Sequence, residues 1–497
     1  MQALIVVENP KHWPVAFEGA EVVAARQYLT DRRFHELRRA AVFNVCRSYA
    51  YQTVGYYVSL LAAARGHRTL PSVGTLQDLN LASIIRLAGE DLDAHIQRDL
   101  ARLKSNEFEL SIYFGRNVAR RYDRLSRALF NLFPAPLLRA RFTRDPGNGK
   151  GSGRWRLKSI RPIPASEVPD EHRDFVVEKA RDYFRRPSRT TAQRAFRYDL
   201  AILWRADDPF APSDERAIRR FIKAAEAAEI GCAIIGPQDA GRIAEFDALW
   251  IRETTQVDHH TYRLARRASA EGMVVIDDPL SIVRCTNKVY QAEVFARHRI
   301  DCPRTLVVGP GGEDEIARDI GFPCVVKQPD SSFSRGVTRV ASPDELSPAL
   351  ASLFKDTELV VVQEWLPTEH DWRIGVLDGS PLFVSRYFMA RGHWQIAVHG
   401  EGRKTRYGRV ETVPVSEAPE GVVDLAVRAA RLFGDGLYGV DLKVVDGRPL
   451  VIEVNDNPNL EAGEEDAHDR GRIYRELAQY FRQRLDQRGD RPGRSGA

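Results

Sequence analysis

Three oxygen-bearing residues near the C-terminus have the types and spacing of a divalent-cation site. Asp441, Glu453 and Asn455 lie in the stretch YGVDLKVVDGRPLVIEVNDNPNLE, on two apolar segments separated by Asp446-Gly447. Strand side chains alternate between faces, so Glu453 and Asn455 share one face. Carboxylate and amide oxygens are the ligands that Mg²⁺ prefers. The pattern is also typical of an acidic hairpin whose charges face water, and this stretch alone leaves both interpretations open.

The metal interpretation makes a prediction about the register of this hairpin. Directly opposed residues of an antiparallel pair point to the same face, so Asp441 has to lie opposite Glu453. A three-residue loop, Asp446-Gly447-Arg448, satisfies this requirement, whereas a two-residue loop would place Asp441 opposite Ile452. The buried face of the hairpin is expected to hold the apolar neighbours Val440, Leu442, Ile452 and Val454.

Two upstream stretches have residues that can bind a phosphate-bearing ligand. CVVKQPDSSFSRGVTRV places Lys327 at the end of an apolar segment, before a Ser/Gly loop whose amides and hydroxyls can bind phosphate. LVVVQEWLPTEHDWRIGVLDG carries Asp371 and Arg373, which share a strand face. Each stretch by itself is equally typical of an ordinary turn or of a salt-bridged surface strand.

Alternating apolar and amphipathic segments predict the elements that must position these residues. Up to about residue 285 the alternation predicts α/β domains with parallel sheets, and ALIVV, AEVVAA and AAVFNV are predicted strands. Ser213 is a predicted helix N-cap. The helix that follows is expected to pack one face, formed by Ile218, Phe221, Ile222 and Ala225.

The C-terminal third has a different, α+β pattern. KVYQAEVFARH is a predicted helix, followed by strands with polar ends. A final helix is predicted to bury one face, formed by Ile473, Leu477, Tyr480, Phe481 and Leu485. The Gly-rich stretch TRDPGNGKGSGR, residues 143–154, is a predicted linker.

Composition excludes several functional classes. A chain of 497 residues suggests two to four domains, and 43% hydrophobic with 28% charged residues is typical of a soluble globular protein. The net charge of +5 is small and does not indicate a nucleic-acid partner. We identify no membrane span and no signal peptide. The five scattered cysteines lack a C-x-x-C pair, which favours buried thiols in a cytoplasmic protein.

Taken in order, these elements resemble the ATP-grasp superfamily, and most closely the RimK-like group that joins glutamate to a carboxyl terminus. The resemblance covers roughly residues 286–465. It rests on NKVYQAEVFARHRIDCPRT, CVVK, VVQEWL, HDWRI, GVDLKVV and VIEVNDNP. The N-terminal region resembles the extra domain of a RimK-like subgroup.

The resemblance implies a role for each matching residue. Lys288 and Lys327 would contact ATP phosphates, and Arg373 would approach an acyl phosphate, so Lys327 and Arg373 are the candidate catalytic residues. The nucleotide-binding candidates are Lys288, Lys327, Gln363, Glu364, Trp365, Leu366, Asp371 and Lys404. Asp441, Glu453 and Asn455 would hold Mg²⁺, or Mn²⁺ in its place. The loop SSFSRGV has fewer glycines than the family pattern, and Asp456 is expected on the opposite strand face.

The resemblance also implies a domain arrangement. We expect an N-terminal α/β domain over residues 1–145, a linker with a connecting strand and helix over 146–190, and a small parallel-sheet pre-ATP-grasp domain over 191–285. An ATP-grasp fold over 286–485 and a tail over 486–497 complete the chain.

The implied activity is ATP- and Mg²⁺-dependent formation of an amide bond through an acyl phosphate. An amino acid such as glutamate would be added to a peptide, a protein end or a small molecule, and the protein would act in the cytoplasm, as a monomer or a homo-oligomer. The alternatives are a non-catalytic ATP-binding regulator and a phosphotransferase on the same fold. Arg252, at the end of DALWI, is a further candidate for binding a substrate carboxylate.

Overall fold

A computed structural model describes residues 2–13, 20–37, 40–145, 153–185, 196–208, 210–330, 336–400, 403–468 and 471–489. The chain divides into two compact units. Unit 1 comprises Met1–Arg194 and Ile235–Asp247, and unit 2 comprises Ala195–Ile234 and Ala248–Ala497. None of the helices in the described ranges has the length and apolar character required to cross a membrane.

Unit 1 contains a parallel sheet and an antiparallel sheet. Its strands are β1 (Gln2–Val7), β2 (Ala20–Ala24), β3 (Ala40–Asn44), β4 (Arg68–Leu70), β5 (Glu107–Tyr113), β6 (Leu137–Arg144) and β7 (Trp155–Pro162). Its helices are α1 (Ala25–Thr30), α2 (Arg33–Glu36), α3 (Val54–Ala64), α4 (Val73–Asn80), α5 (Ala82–Asp91), α6 (Asp93–Leu100), α7 (Asp123–Leu132) and α8 (Arg173–Arg185). The strand orders are β2-β1-β3-β4 and β5-β6-β7. The three predicted N-terminal strands are confirmed as β1, β2 and β3.

The predicted linker at residues 143–154 connects two strands of one sheet. β6 pairs with β7 in antiparallel fashion, from Leu138 opposite Pro162 to Arg144 opposite Trp155. Both strands bury apolar residues in the core of unit 1, including Phe142 and Trp155. The glycine-rich stretch therefore connects two neighbouring strands of unit 1.

Unit 2 contains the remaining strands and helices. Its strands are β8 (Tyr198–Leu203), β9 (Ile230–Ile235), β10 (Ala248–Ile251), β11 (Val274–Ile276), β12 (Thr305–Val308), β13 (Cys324–Lys327), β14 (Val337–Val340), β15 (Val360–Glu364), β16 (His370–Leu377), β17 (Ser380–Phe388), β18 (Ala397–Gly400), β19 (Arg403–Tyr407), β20 (Val410–Val413), β21 (Leu437–Val445) and β22 (Arg448–Asp456). Its helices are α9 (Glu215–Ala227), α10 (His260–Ala270), α11 (Pro279–Thr286), α12 (Lys288–His298), α13 (Glu313–Asp319), α14 (Pro343–Leu353), α15 (Glu420–Ala430) and α16 (Arg472–Gly489).

Three larger sheets form the framework of unit 2, together with the strand pair β18-β19. The first has the order β11-β10-β8-β9, and β10 runs parallel to β8 and β11, as the alternating pattern predicts. The second is β12-β15-β13-β14 and the third is β20-β17-β16-β21-β22, both with antiparallel neighbours. The fold is therefore mixed α/β and α+β, as expected from the sequence.

Helix α9 begins one residue later than the sequence suggests. Its N-cap is Asp214, whose carboxylate accepts a hydrogen bond from the Ala217 amide. The prediction that Ser213 is the cap is wrong, because the Ser213 hydroxyl instead donates to the carbonyl of Leu460. Ile218, Phe221 and Ala225 are buried as predicted, while Ile222 is half-buried.

The final helix, α16, packs against the small parallel sheet. The five residues predicted on its buried face are all buried: Ile473, Leu477, Tyr480, Phe481 and Leu485. The Phe481 ring lies 6.1 Å from that of Phe221, which in turn lies 4.2 Å from Trp250 of β10. The C-terminal helix therefore completes the core of a sheet whose strands, β8 to β11, lie between Tyr198 and Ile276.

We expect Phe481→Ala to destabilise unit 2 by about 3–5 kcal/mol, because it removes a large buried ring from a close-packed core. Urea denaturation followed by tryptophan fluorescence should show the midpoint of the unit 2 transition shifted to lower urea. Gln483→Ala, an exposed position on the same helix, is the matched control. Equal midpoints for the two variants would contradict this account of the core.

Candidate functional site

A cavity of about 1120 Å³ in unit 2 brings together side chains from the second and third sheets. Nearly all of the predicted site residues line it: Lys288, Lys327, Gln363, Glu364, Trp365, Leu366, Asp371, Arg373, Asp441, Glu453 and Asn455. The side chain of Lys404 and the loop residues 331–335 lie outside the described residues.

The β21-β22 hairpin confirms the predicted pairing of Asp441 with Glu453. The predicted three-residue loop is wrong. Val445 pairs with Arg448, so the loop is the two residues Asp446-Gly447, with φ angles of 51° and 75°. Positive φ at both positions is typical of the tight turn that suits the twist of a hairpin.

A β-bulge reconciles the short loop with the observed pairing. Leu442 pairs with Val451 and Asp441 pairs with Glu453, so Ile452 is an extra residue without a direct partner. A bulge shifts the alternation of side chains by one position. Val451 therefore fills the core beside Val454, whereas Ile452 lines the cavity. The expectation that Ile452 belongs to the buried apolar face is wrong for this reason.

Arg373 and Asp441 form a bidentate ion pair across β16 and β21. The Arg373 Nε and Nη2 atoms donate to Asp441 Oδ1 and Oδ2 at 2.6 and 2.7 Å. Burial lowers the pKa of Arg373, but the adjacent Asp441 carboxylate raises it, and the net shift is strongly upward. Asn455 Nδ2 also donates to Asp441 Oδ2 at 3.1 Å. Asp441 thus lies between an arginine on one neighbouring strand and two oxygen-bearing side chains on the other.

Two lysines of the cavity are paired with carboxylates. Lys288 Nζ lies 3.7 Å from Glu453 Oε2. Lys443 Nζ donates to Asp371 Oδ1 and to Thr368 Oγ1, both at 2.6 Å. Because each charge is largely buried, these pairs limit the cost of removing the ions from water.

Lys327 differs from the other lysines, because its ammonium donates to the neutral amide oxygen of Gln363. Burial lowers the pKa of Lys327 to about 8. Glu453 opposes this shift, while Lys288 and Lys443 add to it. The cavity therefore holds one buried cation that an incoming anion can stabilise.

Beside these charges, an aromatic and polar wall follows the end of β15. The Trp365 ring meets that of Trp394 at 5.0 Å and nearly at right angles, and the Arg339 guanidinium lies 5.0 Å from the Trp365 ring. The Glu364 carboxylate accepts hydrogen bonds from the backbone amide and Nε of Arg304, both at 2.9 Å. This wall can hold a flat, partly apolar group.

Sequence reasoning gave no role to Lys443 or Trp394. Lys443 follows Asp441 by two residues, so strand alternation places both on one face and was a usable signal. Trp394 lies in the connection between β17 and β18, where no periodic pattern indicates direction. The position of Ile452 in the cavity wall could be predicted only with knowledge of the β-bulge.

Arg252 is structural, and the expectation that it binds a substrate carboxylate is wrong. Its side chain is fully buried. It donates to Ser213 Oγ at 3.0 Å, to Asn457 Oδ1 at 2.6 Å, and to the carbonyls of Pro212 and Pro458 at 2.6 and 2.8 Å. These bonds join the loop after β8 to the segment after β22.

Asp441, Glu453 and Asn455 fit a small divalent cation. They offer only oxygen donors, they come from paired strands, and they open into a cavity that has room for further ligands. Within the described ranges, no group of three or more His, Cys, Asp and Glu side chains is arranged to hold a metal. This triad contains only two carboxylates, so a ligand such as phosphate would have to complete the shell.

Two known protein families match large parts of the chain. The RimK-like ATP-grasp N-terminal domain family matches residues 25–179, and the RimK-like ATP-grasp domain family matches residues 285–469. A probable alpha-L-glutamate ligase from Teredinibacter turnerae is 24% identical over 227 residues, which cover 45% of this chain and 72% of that protein. The alpha-aminoadipate–LysW ligase LysX from Sulfolobus acidocaldarius is 30% identical over 193 residues, 37% of this chain and 66% of that protein.

Solved structures of similar fold include a RimK domain ATP-grasp protein from Sphaerobacter thermophilus. Its TM-score is 0.43 at 17% identity, covering 57% of this chain and 98% of that chain. The D-alanine–D-alanine ligase from Bacillus anthracis complexed with ATP has a TM-score of 0.46 at 19% identity, covering 59% and 98%.

We expect Arg252→Met to destabilise unit 2 by about 2–4 kcal/mol, because buried carbonyl oxygens left without a donor cost about 1–3 kcal/mol each. Arg409→Met, which changes an exposed arginine at the cavity wall, is the control and should leave stability nearly unchanged. Thermal and urea unfolding measure both variants. Native stability in Arg252→Met would contradict the structural role.

Proposed function

The chain belongs to the RimK-like ATP-grasp ligases, with the RimK-like N-terminal domain preceding the ATP-grasp domain, and we propose that it forms an amide bond between a carboxylate and an amine at the expense of ATP. The observation that carries this proposal is that Lys288, Lys327, Arg373 and the metal-type triad of Asp441, Glu453 and Asn455 line one cavity together. A polyanion with a bound cation is the ligand that such a mixture of charges suits.

The nucleotide is proposed to lie against the β13 and β15 side of the cavity. Lys327 and Lys288 are proposed to contact its phosphates, and Trp365 and Leu366 its base. Glu364, held by two bonds from Arg304, is proposed to accept a hydrogen bond from the nucleoside. Asp371 and its partner Lys443 form the remaining polar wall.

The cation is proposed to be Mg²⁺, or Mn²⁺ in its place, held by Asp441, Glu453 and Asn455. When bound, ATP and its metal supply the phosphoryl group and the positive charge needed for its transfer. Arg373 occupies both oxygens of Asp441 in the present arrangement. Metal ligation by Asp441 therefore requires this carboxylate to be shared between the arginine and the cation.

The chemistry follows from the poor reactivity of a carboxylate toward amines. Transfer of a phosphoryl group to the carboxylate forms an acyl phosphate, whose leaving group is phosphate. The amine nitrogen then bonds to the acyl carbon, the carbon–oxygen bond to phosphate breaks, and the nitrogen loses a proton. Arg373 is proposed to neutralise the acyl phosphate. Its guanidinium lies buried beside Tyr387, and the adjacent Asp441 raises its pKa, so it stays positively charged.

The substrates are proposed to be an amino acid and a peptide, a protein end or a small molecule. Glutamate and α-aminoadipate appear in the names of relatives, so glutamate is the reference amine for assays. ADP release that requires both an acid and an amine would distinguish a ligase from a phosphotransferase.

We expect Glu453→Gln to reduce ADP release by at least about 100-fold, because it removes one charged metal ligand and also the carboxylate that lies 3.7 Å from Lys288 Nζ. The assay measures ADP release with Mg²⁺, ATP and pairs of amino acids and peptides. Glu420→Gln, an exposed acid on α15, is the control and should retain activity. Mn²⁺ affinity, measured by electron paramagnetic resonance, should fall in parallel. Full activity in Glu453→Gln would make the metal assignment wrong.

The burial of Lys327 predicts a pH dependence for nucleotide binding. Because the pKa of Lys327 in the free protein is lowered to about 8, the charged form that attracts phosphate is present below pH 8 and is lost above it. The Kd for an ATP analogue should rise by about tenfold per pH unit above pH 8, with proton uptake on binding.

Isothermal calorimetry between pH 7 and 9.5, in buffers of different ionisation enthalpy, measures both quantities. Lys327→Arg keeps its charge over this range and should remove the slope. Lys327→Met should bind weakly at every pH. An unchanged slope in Lys327→Met would assign the titration to another group.

A further inference from the structure

Tyr387 is a buried aromatic residue of the cavity wall to which the proposed reaction assigns no role. It lies on β17, opposite Asp371 of β16. Strand side chains alternate between faces, so Tyr387 and Ser385 point to the same side of the sheet. Because Ser385 lies opposite Arg373, Tyr387 and Arg373 are diagonal neighbours on the cavity face.

The Tyr387 ring lies against the Arg373 guanidinium. The Cζ atom of Arg373 is 4.7 Å from the centre of the ring. The negative face of an aromatic ring attracts a cation at this distance, and the attraction grows where water is excluded. Both side chains are largely buried. The ring therefore restrains Arg373 in addition to the two hydrogen bonds that Arg373 makes with Asp441.

The carboxylate of Asp441 uses only one edge of this guanidinium. Nε and Nη2 of Arg373 donate to Asp441 at 2.6 and 2.7 Å. Among the residues that the structure describes, no oxygen accepts a hydrogen bond from the third nitrogen, Nη1. The five N–H donors of a guanidinium lie in one fixed plane. Holding one edge and the ring-side face therefore leaves Nη1 as a donor for a ligand.

The Tyr387 hydroxyl is itself held in place, because it donates to Oε1 of Glu465. Glu465 is almost fully buried, and its Oε2 accepts from the Glu461 amide at 2.8 Å. Burial raises the pKa of Tyr387 well above its usual range and Glu465 adds to the shift, so the phenol keeps its proton. Hydrogen bonds polarise their partners in a low dielectric, so donation to a carboxylate strengthens the negative face of the ring.

These contacts form one buried polar network across the cavity wall. Glu465 belongs to the segment after β22, Tyr387 to β17, Arg373 to β16 and Asp441 to β21. The order of contacts runs from Glu465 through the phenol and the guanidinium to the Asp441 carboxylate. The position of Arg373 therefore depends on a tyrosine that is anchored from a separate part of the chain.

We propose that Tyr387 is a positioning residue for Arg373, and that its ring holds the guanidinium so that Nη1 faces the phosphoryl group transferred in the reaction. This inference rests on the proposed ligase function. Without the ring, the guanidinium would be free to turn and to use Nη1 on oxygens of the protein. Tyr387 does not contact the reacting atoms and acts through Arg373.

Phosphate binding to the full chain, saturated with Mg²⁺ and ADP, tests the proposal without knowledge of the acid or the amine. Inorganic phosphate is the probe, because its oxygens resemble those of the transferred phosphoryl group. Calorimetric titration measures the Kd for phosphate, and a separate titration measures the Kd for Mg²⁺-ADP. Circular dichroism and thermal unfolding verify that each variant is folded.

Tyr387→Leu removes the ring but keeps an apolar side chain, and we expect it to weaken phosphate binding by roughly tenfold. Tyr387→Phe keeps the ring and loses only the bond to Glu465, so a loss of no more than about threefold is expected. The Kd for Mg²⁺-ADP should stay as in the wild type, since the proposed nucleotide contacts lie on the β13 and β15 side of the cavity.

A double-mutant cycle shows whether Tyr387 acts through Arg373. Arg373→Lys keeps a charge beside Asp441 but removes the planar group, and should weaken phosphate binding by at least about tenfold. Adding Tyr387→Leu to Arg373→Lys should weaken binding no further, because the group that the ring positions is already absent.

Tyr198→Leu is the matched control, because Tyr198 makes the same two kinds of contact. Its hydroxyl donates to Asp486 at 2.7 Å, and the guanidinium groups of Arg197 and Arg482 lie 5.3 and 5.6 Å from its ring. Tyr198 lies on β8 and does not line the cavity. Its substitution should leave phosphate binding unchanged, whatever it does to the unfolding temperature.

The outcomes separate this inference from the proposed function. Wild-type phosphate affinity in Tyr387→Leu, losses that multiply in the cycle, or an equal loss in Tyr198→Leu overturns the inference and leaves the ligase proposal standing. The absence of phosphate binding to the nucleotide-loaded wild type overturns it as well. Failure of the wild-type chain to bind Mg²⁺-ADP contradicts the proposed function itself.

Discussion

The ion pair between Arg373 and Asp441 is the interaction around which the polar face of the third sheet is organised. It joins β16 to β21 through two hydrogen bonds, in a region where the side chains are largely removed from water. An unpaired charge at either position would cost several kcal/mol, so each residue requires the other in register. The pair also brings Asp441 between Arg373 on β16 and Glu453 on β22.

The bulge at Ile452 follows from the same requirement combined with a short turn. Asp446-Gly447 forms a two-residue turn, and without an extra residue Asp441 would face Ile452. The bulge restores the contact between the acidic residues of the two strands while Val451 and Val454 remain in the core. A local departure from regular pairing therefore serves both the packing and the site, as bulges near functional sites commonly do.

Charge is distributed unevenly along the cavity. On the side proposed for the nucleotide, Lys288 lies near Glu453 and Lys443 forms an ion pair with Asp371. Lys327 instead donates to the neutral amide of Gln363, so an anion bound there would stabilise its charge. Arg252 is withdrawn into the core, where its side chain is fully buried and donates to oxygens of the protein. The proposed reaction brings a polyanion to the nucleotide side of the cavity, where Lys327 would supply a positive charge.

The sequence by itself determined the elements and most of the polar groups. Periodicity identified helix α12, the buried face of α16 and the first three strands, because local side-chain patterns depend on the element in which they lie. The order of CVVK, VVQEWL, HDWRI and VIEVNDNP carried the resemblance to the ATP-grasp superfamily, and that resemblance implied which residues share the cavity. Only the tertiary structure decided the two-residue turn and the bulge of the β21-β22 hairpin. It also decided the burial of Arg252 and the pairing of Lys443 with Asp371. These depend on contacts between residues distant in the chain, and no local pattern records which partner neutralises a buried charge.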